Sequence, residues 1–365
     1  MVEAKQRVVC AMSGGVDSSV AAALLVEAGY EVIGITMNIR PSAKTAEAAE
    51  RFGGCCSLSD TDDAKNVAHK LGIPHYTFDF REVFKEAVIE DFVSEYRRGR
   101  TPNPCIRCNQ FVKFKALFNK AFAVGADFIA TGHYAQIEFD ERTGRFVLKK
   151  GRDKRKDQTY VLYSLTQEQL AHTLFPLGSL TKEETREKAE SLGLSVARKE
   201  ESQEICFVPD NDYARFVGEY APGAEKPGPI YHKDGTVLGA HKGIIHYTIG
   251  QRRGLGISWP EPLYVISISE EEAAIIVGTK EDLGGRGLVA NDINLISIAE
   301  LTSPMRVCAK IRYKSPEVPA TLVPLDDARV RVEFDEPQSA ITPGQAVVFY
   351  DGDIVVGGGT VEEAL

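Results

Sequence analysis

The segment Ser13-Gly-Gly-Val-Asp-Ser-Ser19 stands between an apolar run, Val8-Val-Cys-Ala-Met12, and a helical stretch, Ser18 to Ala28. At such a strand-to-helix turn, backbone N–H groups and the helix N-terminus converge on an anion. Ser13, Gly14 and Gly15 let phosphate oxygens come close to the backbone. The loop lacks the lysine of a G-x-x-x-x-G-K-[ST] site, so it does not hold a γ-phosphate in that manner. Asp17 would repel phosphates unless a cation stood between them, which predicts a nucleotide carried with Mg2+.

Three cysteines suggest sulfur chemistry beside that loop. Cys105-Ile-Arg-Cys108 follows Thr101-Pro-Asn-Pro104, and Arg98, Arg100 and Arg107 crowd the segment, which predicts lowered thiol pKa values and nucleophilic thiolates. Cys206 lies far downstream in Glu201-Ser-Gln-Glu-Ile-Cys206. Structural zinc would need a fourth ligand, and the other close pair, Cys55-Cys56, is adjacent rather than spaced as C-x-x-C. A thioredoxin-like pair would not need a nucleotide loop. An iron–sulfur cluster on Cys105, Cys108 and Cys206 with one open iron stays open as a rival. Cys10 and Cys308 sit in β-like runs and read as buried small hydrophobes.

The elements that must position these groups alternate in the first half. The strand-like Val8–Met12, Val32–Met37, Tyr76–Phe80 and Phe128–Ala130 are separated by helical stretches Ser18–Ala28, Asp62–Leu71, Phe84–Tyr96 and Phe111–Val124, which predicts a parallel sheet covered by helices. Tyr134–Phe139 and Phe146–Lys150 read as a hairpin added to that sheet, and Lys182–Leu192 as a further helix. After Asp210 the chain turns Gly/Pro-rich, and from Leu263 onward short β-like runs indicate a small barrel. The expected division is residues 1–210, 211–280 and 281–365. At 365 residues, 43% apolar and 26% charged, the chain is long enough for several cores and has neither a disordered nor a collagenous composition. No apolar run reaches the roughly 18 residues of a membrane span, and the opening residues lack a signal-peptide core. A cytoplasmic monomer with reduced thiols and no membrane partner is expected; seven cysteines are an odd count for a disulfide framework.

Taken in order, the SGGVDSS loop, Gly54-Cys-Cys-Ser57, Gly99-Arg-Thr-Pro-Asn-Pro104, Thr131-Gly-His-Tyr134, Lys156-Asp-Gln158, Ser202-Gln-Glu-Ile-Cys206 and Tyr247-Thr-Ile-Gly-Gln-Arg-Arg-Gly-Leu255 resemble the tRNA-specific 2-thiouridylases. The loop by itself resembles only the wider PP-loop ATP pyrophosphatases, a Rossmann-like α/β fold. The family resemblance implies an N-terminal PP-loop domain, a small central domain and a C-terminal antiparallel β-barrel. It also implies ATP-dependent exchange of O2 for sulfur on the wobble uridine of tRNA, with ATP adenylating O2. A persulfide, loaded by a donor or relay protein, supplies the sulfur. By family position, Cys108 is the nucleophile and Cys206 the persulfide carrier, with a transient disulfide between them. Ala11, Met12, Ser13, Gly14, Gly15, Val16, Asp17, Ser18, Met37 and Gly132 would form the nucleotide pocket. Asn103, Pro104 and Cys105 would lie beside the flipped target base. His133, Lys156, Asp157, Gln158, Arg312, Tyr313 and Gln345 would contact tRNA. Some family members carry Asp where this chain has Cys105, so an acid/base role at that position is not carried over. No metal site is implied.

The net charge of −9 argues against nucleic acid until its distribution is read. Residues 142–156 hold eight basic side chains against one acid, Asp153. Arg97, Arg98, Arg100 and Arg107 form a second cluster, Arg252-Arg253 a third, and Arg306, Lys310, Arg312 and Lys314 are expected to line one face of a strand, with Tyr313 on the other. Such clusters suit RNA phosphates, or they are solvated faces. Two other functions remain: a PP-loop ligase that aminates an adenylated small molecule, and a non-catalytic tRNA-binding or sulfur-carrier protein.

Overall fold

β1, Arg7–Ala11, and α1, Val16–Glu27, are the first elements among the described residues. The last four residues of β1 are buried, because the strand lies at the centre of a sheet with both faces covered. Its side chains alternate: Val8 and Cys10 enter one core and Val9 and Ala11 the other. β2, Glu31–Asn38, and β4, Phe128–Ala130, flank it in parallel register. β3, His75–Asp79, and β7, Thr173–Leu174, complete a five-stranded parallel sheet of order β3-β2-β1-β4-β7. Chain direction across the sheet reverses between β1 and β4, so the crevice outside their carboxyl ends is where an α/β sheet takes a ligand. The segments 12–15 and 131–134 leave those two strand ends. Helices α2, Leu58–Leu71, α3, Glu90–Arg97, α4, Pro104–Arg107, and α5, Lys182–Ser191, cover the sheet; α4 runs on as a π-helical stretch, Cys108–Leu117.

This computed structural model describes residues 5–40, 58–200, 205–326 and 328–365. Gly54–Ser57, including Cys55-Cys56, and Ser202–Glu204 lie outside the described residues. Among the described residues no helix is long and apolar enough to cross a membrane.

The hairpin β5, Ala135–Asp140, and β6, Arg145–Lys150, is formed as expected, but it does not join the parallel sheet. β6 instead pairs with β17, Ile354–Ala364, of the C-terminal β region. In the parallel sheet the place beside β4 is taken by β7. β12, Gly284–Leu295, β15, Val330–Ser339, β14, Val318–Pro324, β13, Met305–Lys310, β16, Ala346–Asp351, and β17 follow one another around a closed antiparallel barrel, sealed by β12 against β17. Closure leaves no free edge among those six strands. The Gly/Pro-rich region holds strands that its composition hid: β8, Gly228–His232, and β9, Val237–His241, which pair with β10, Tyr264–Ser269, and β11, Ala274–Gly278, around a core of Ile230, Val265, Ile275 and Val277.

The expected alternation of Arg306 to Lys314 stops early. β13 ends at Lys310, and residues 311–315 turn. Tyr313 consequently folds back, with the Lys310 ammonium 5.8 Å from its ring centre, rather than pointing away. Cys308 is half-buried rather than fully buried, on the face of β13 opposite Val307 and Ala309, where it packs against the large core cluster.

Candidate active site

Gly14 takes φ +73°, and a Cβ there would stand 2.1 Å from the Asp60 carbonyl oxygen, so only glycine lets the loop pass the start of α2. Gly15 is the N-cap of α1, and no side chain caps the first N–H groups of that helix. That end is left for an anion. Ser18 Oγ accepts from the Ser13 N–H at 3.1 Å and donates to the Gly15 carbonyl at 3.2 Å, while Ser19 Oγ donates to the same carbonyl at 2.8 Å. Gly132, just after β4, closes the other side; its Cβ would lie 2.7 Å from Asp17 C and Ser18 N. Backbone donors, small side chains and an uncapped helix fit a polyphosphate. Ala11, Met12 and Val16 are buried in the cores, so they offer a ligand only their backbone, and Met37 is half-buried on β2.

Asp17 has a cation beside it, but the cation is Lys182. Its ammonium lies 2.7 and 2.9 Å from the two carboxylate oxygens, and Tyr134 OH donates to Oδ1 at 2.8 Å. The carboxylate is therefore no argument for Mg2+ by itself. Lys199 Nζ donates to the Gly14 carbonyl at 3.1 Å and to Asp60 at 2.6 Å. Burial alone would lower its pKa, but the hydrogen bonds to Asp60 and Asp63 raise it. Sequence reading missed both lysines; they come from beyond residue 180 and carry no local motif.

His133 is buried, with Thr131 Oγ1 2.7 Å from Nδ1 and the rings of Phe114 and Phe175 about 6 Å away. Burial, and secondarily Lys113, hold its pKa well below 6.5, so it stands neutral. As pH falls below 6.5 the unfolded chain takes up a proton that the folded chain refuses. Stability should fall with pH, by up to about 1.4 kcal/mol per pH unit from this residue. His133→Gln should flatten that part of the profile, read as the difference between variant and parent in urea melts between about pH 7.5 and 5.5.

The thiol segment begins α4 with two start signals, Asn103 as N-cap, accepting from the Ile106 N–H at 3.4 Å, and Pro104 in the first turn. Cys105 is exposed. Cys108 and Cys206 are both half-buried and pack against one core cluster, which also holds Phe207 and Val208. Phe207 packs edge-on against Phe84 and Phe92, anchoring the Cys206 segment to the helical layer that precedes α4. All three cysteines are thiols in this structure. Among the described residues no three His, Cys, Asp or Glu side chains gather as a metal site, so the three do not form the ligand set a cluster requires. Cys10 is fully buried as expected, and burial pushes its thiol up to about 12.

The expected positive field at these thiols is cancelled. Glu95 takes both Arg98 and Arg100, and Asp91 takes Arg107 at 3.3 Å. The basic segment is likewise met by acids, Lys149 by Glu138 of the hairpin's own first strand and the rest by other parts of the chain: Lys150 by Glu317, Arg152 by Glu184, Lys154 by Asp353 and Arg155 by Glu183. The exposed pairs of Arg152, Lys154 and Arg155 are worth about 0–1 kcal/mol each, so phosphates can displace them, whereas Lys150 and Glu317 are largely covered. Arg252 and Arg253 are exposed, with no acidic partner among the described residues.

Several residues expected at a tRNA surface hold the protein together. Gln158 Oε1 accepts from the Tyr134 N–H at 2.9 Å. Asp157 accepts from Thr159 Oγ1 at 2.7 Å and Gly151 N–H at 3.1 Å, and burial raises its pKa. Tyr313 OH donates to the Asp157 carbonyl at 3.3 Å, and Arg312 to the Ser339 carbonyl at 2.8 Å; Lys156 is half-buried. Gln345 Nε2 donates to the carbonyls of Thr101 at 2.8 Å and Pro102 at 3.3 Å, and Thr101 N–H donates to Pro343. The barrel thus holds the segment that starts α4. Gln345→Ala should cost about 1 kcal/mol of stability through lost hydrogen bonds. By loosening the thiols it should also slow sulfur transfer about tenfold or more, with the KM for nucleotide unchanged, in steady-state assays.

A family model for the tRNA methyl transferase HUP domain matches residues 6–210, one for the tRNA methyl transferase PRC-barrel domain residues 214–279, and one for the aminomethyltransferase beta-barrel domain residues 285–361. The chain is 56% identical to the tRNA-specific 2-thiouridylase MnmA of Halothermothrix orenii, over 98% of this chain and 99% of that one. It is 55% identical to the same-named protein of Acetivibrio thermocellus, again over 98% and 99%. With identity of that level along the whole length, and with the phosphate loop in the place described, this chain belongs to the tRNA-specific 2-thiouridylase (MnmA) family.

Proposed function

We propose that the protein is an ATP-dependent tRNA uridine 2-sulfurtransferase. The observation that carries this reading is one body holding both an uncapped phosphate loop and two thiols on a common core cluster. ATP, with Mg2+, enters the crevice at Ser13–Ser18, and the wobble uridine, flipped out of its stack, sits beside Asn103, Pro104 and Cys105. Uridine O2 attacks the α-phosphorus and pyrophosphate leaves, so that AMP becomes the leaving group on C2. Cys206 arrives at the reaction as a persulfide, charged by a donor protein. Cys108 thiolate attacks Cys206 Sγ and a disulfide forms; the hydrosulfide released adds to C2, and AMP departs with the C2–O2 bond's electron pair. A reductant then restores both thiols by exchange. The neutral His133 is suited to holding Thr131 and Gly132 in place rather than to meeting phosphate, and Arg252, Arg253 and the hairpin supply displaceable charge for the tRNA backbone. Residues 1–210, 211–280 and 281–365 act as three units that grip one tRNA, and a monomer in the cytoplasm suffices.

The test is direct. Purified protein, unmodified tRNA, Mg-ATP and a persulfide donor should yield 2-thiouridine in digested nucleosides by mass spectrometry. A donor proven competent with a known thiolase, yet giving no 2-thiouridine here, overturns the reading.

A further inference from the structure

The reaction proposed above uses Cys108 and Cys206 and ends on a disulfide between them, yet the C-x-x-C spacing sets a third thiol, Cys105, one turn before Cys108. We propose that Cys105 is the resolving thiol of the cycle: it takes the spent disulfide over from Cys206 and presents it, as a Cys105–Cys108 bond, to a thiol reductant from outside. The inference rests on the sulfurtransferase reading above. During sulfur transfer itself Cys105 only borders the base, and its own step comes after the product has formed.

Two observations carry it. The first is exposure. Among the described cysteines Cys105 alone is exposed, whereas Cys108 and Cys206 are half-buried against the core cluster that holds Phe207. Thiol–disulfide exchange depends on access to the sulfur attacked, and a bond between the two half-buried sulfurs offers an outside reductant little of it. The second is the backbone between Cys105 and Cys108. Side chains three apart on an α-helix stand about 5–6 Å between Cβ atoms, and a disulfide needs about 3.5–4.5 Å. Here the Cys108 N–H is shared between the carbonyls of Pro104 and Cys105. The bond to Cys105 is that of a 3₁₀ turn, in which side chains three apart eclipse, so the turn is tightened in the direction the disulfide requires. The exchange balances. Cys105 gives up its proton and attacks Cys108 Sγ; the Cys108–Cys206 bond breaks, and its electron pair leaves on Cys206 Sγ, which takes a proton. Cys206 is then a thiol again, open to the next sulfur from the donor. An external thiol attacks Cys105 Sγ, Cys108 leaves as thiolate, and a second thiol releases Cys105, so that two reductant thiols end as one disulfide.

The experiment follows one turnover of persulfide-charged protein on unmodified tRNA with Mg-ATP and no reductant, quenched in acid with N-ethylmaleimide, and maps the disulfides by peptide mass spectrometry. Wild type should hold at least about a tenth of its disulfide as Cys105–Cys108, with Cys206 alkylated, and Cys105→Ser should hold only Cys108–Cys206. Over many turnovers with glutathione, a monothiol, Cys105→Ser should match wild type within about twofold in the first turnover and fall at least about tenfold behind in those that follow, at an unchanged Tm. A small dithiol in excess should bring it back to within about threefold. A wild-type map with Cys108–Cys206 alone and Cys105 fully alkylated overturns the proposal, as does a variant that keeps pace in glutathione. If no 2-thiouridine forms at all, the sulfurtransferase reading fails first. Resting protein oxidised with diamide and mapped in the same way then still decides the exchange: a Cys105–Cys108 bond supports it, and a map without that bond overturns it.

Discussion

Cys108→Ser is expected to lower 2-thiouridine formation by at least about 10^3-fold, because a serine hydroxyl at neutral pH is neither ionised nor able to accept a sulfur–sulfur bond. Cys206→Ser should do the same, since an oxygen cannot carry the transferable sulfur. The loss should be selective. Neither residue touches the phosphate loop in the proposed reaction, so tRNA-dependent pyrophosphate release should survive in both, within about tenfold of wild type. Cys105→Ser gives the contrast. Its side chain is exposed and does not pack against the cluster that takes Cys108 and Cys206, so a change of less than about tenfold is expected from a residue that only borders the base. Nucleoside mass spectrometry and a pyrophosphate assay on the same samples separate the two half-reactions. Full thiolation by Cys108→Ser would contradict the assignment of Cys108 as the nucleophile.

What the sequence made legible was whatever depends on neighbours in the chain. The loop at Ser13–Ser18 follows from a strand, two glycines and a helix start, and Asn103-Pro104 announces α4 by its own cap chemistry. The alternating β and α grammar was enough for a parallel sheet. Residues whose place is decided by distant partners were not legible. Lys182 and Lys199 reach the loop from 165 and 185 positions away, inside segments that look like ordinary charged helix and turn. The hairpin's destination depended on which sheet edge was open, and edge occupancy is a tertiary fact. Strands β8 and β9 were hidden because Gly and Pro are depleted from strands in general yet tolerated where neighbouring strands supply the register.

Charge was misread for the same reason. A count along the chain sees the arginines at 98, 100 and 107 but not the face of α3, where Glu95 and Asp91 wait for them. Activation of Cys108 therefore cannot be credited to an excess of nearby arginine. Cys108 and Cys206 are both half-buried against one core cluster, and in the proposed reaction it is the holding of their two segments on that common core that raises the effective concentration of one thiol for the other.

Gly14→Ala carries the second large effect, and its size follows from two separable costs. At φ +73° an alanine gives up roughly 1–2 kcal/mol of backbone energy. Its Cβ would also lie 2.1 Å from the Asp60 carbonyl oxygen and 2.7 Å from the carbonyl carbon, and backbone atoms cannot rotate aside as a side-chain tip can. Either α2 or the loop must shift, and both also bear on Lys199, which bonds to Gly14 O and Asp60 together. Gly29→Ala separates the terms. Gly29 has φ +89° and nothing within 4 Å of the added Cβ, so that variant should lose only the backbone cost, about 1–2 kcal/mol, and keep its nucleotide affinity. Gly14→Ala should lose more than about 3 kcal/mol in urea melts and weaken ATP binding by at least about 10^2-fold in calorimetry, because the displaced N–H groups no longer converge on the phosphates. Equal losses in the two variants would mean that the close approach to Asp60 does not constrain the loop, and that the positive φ alone accounts for the glycine.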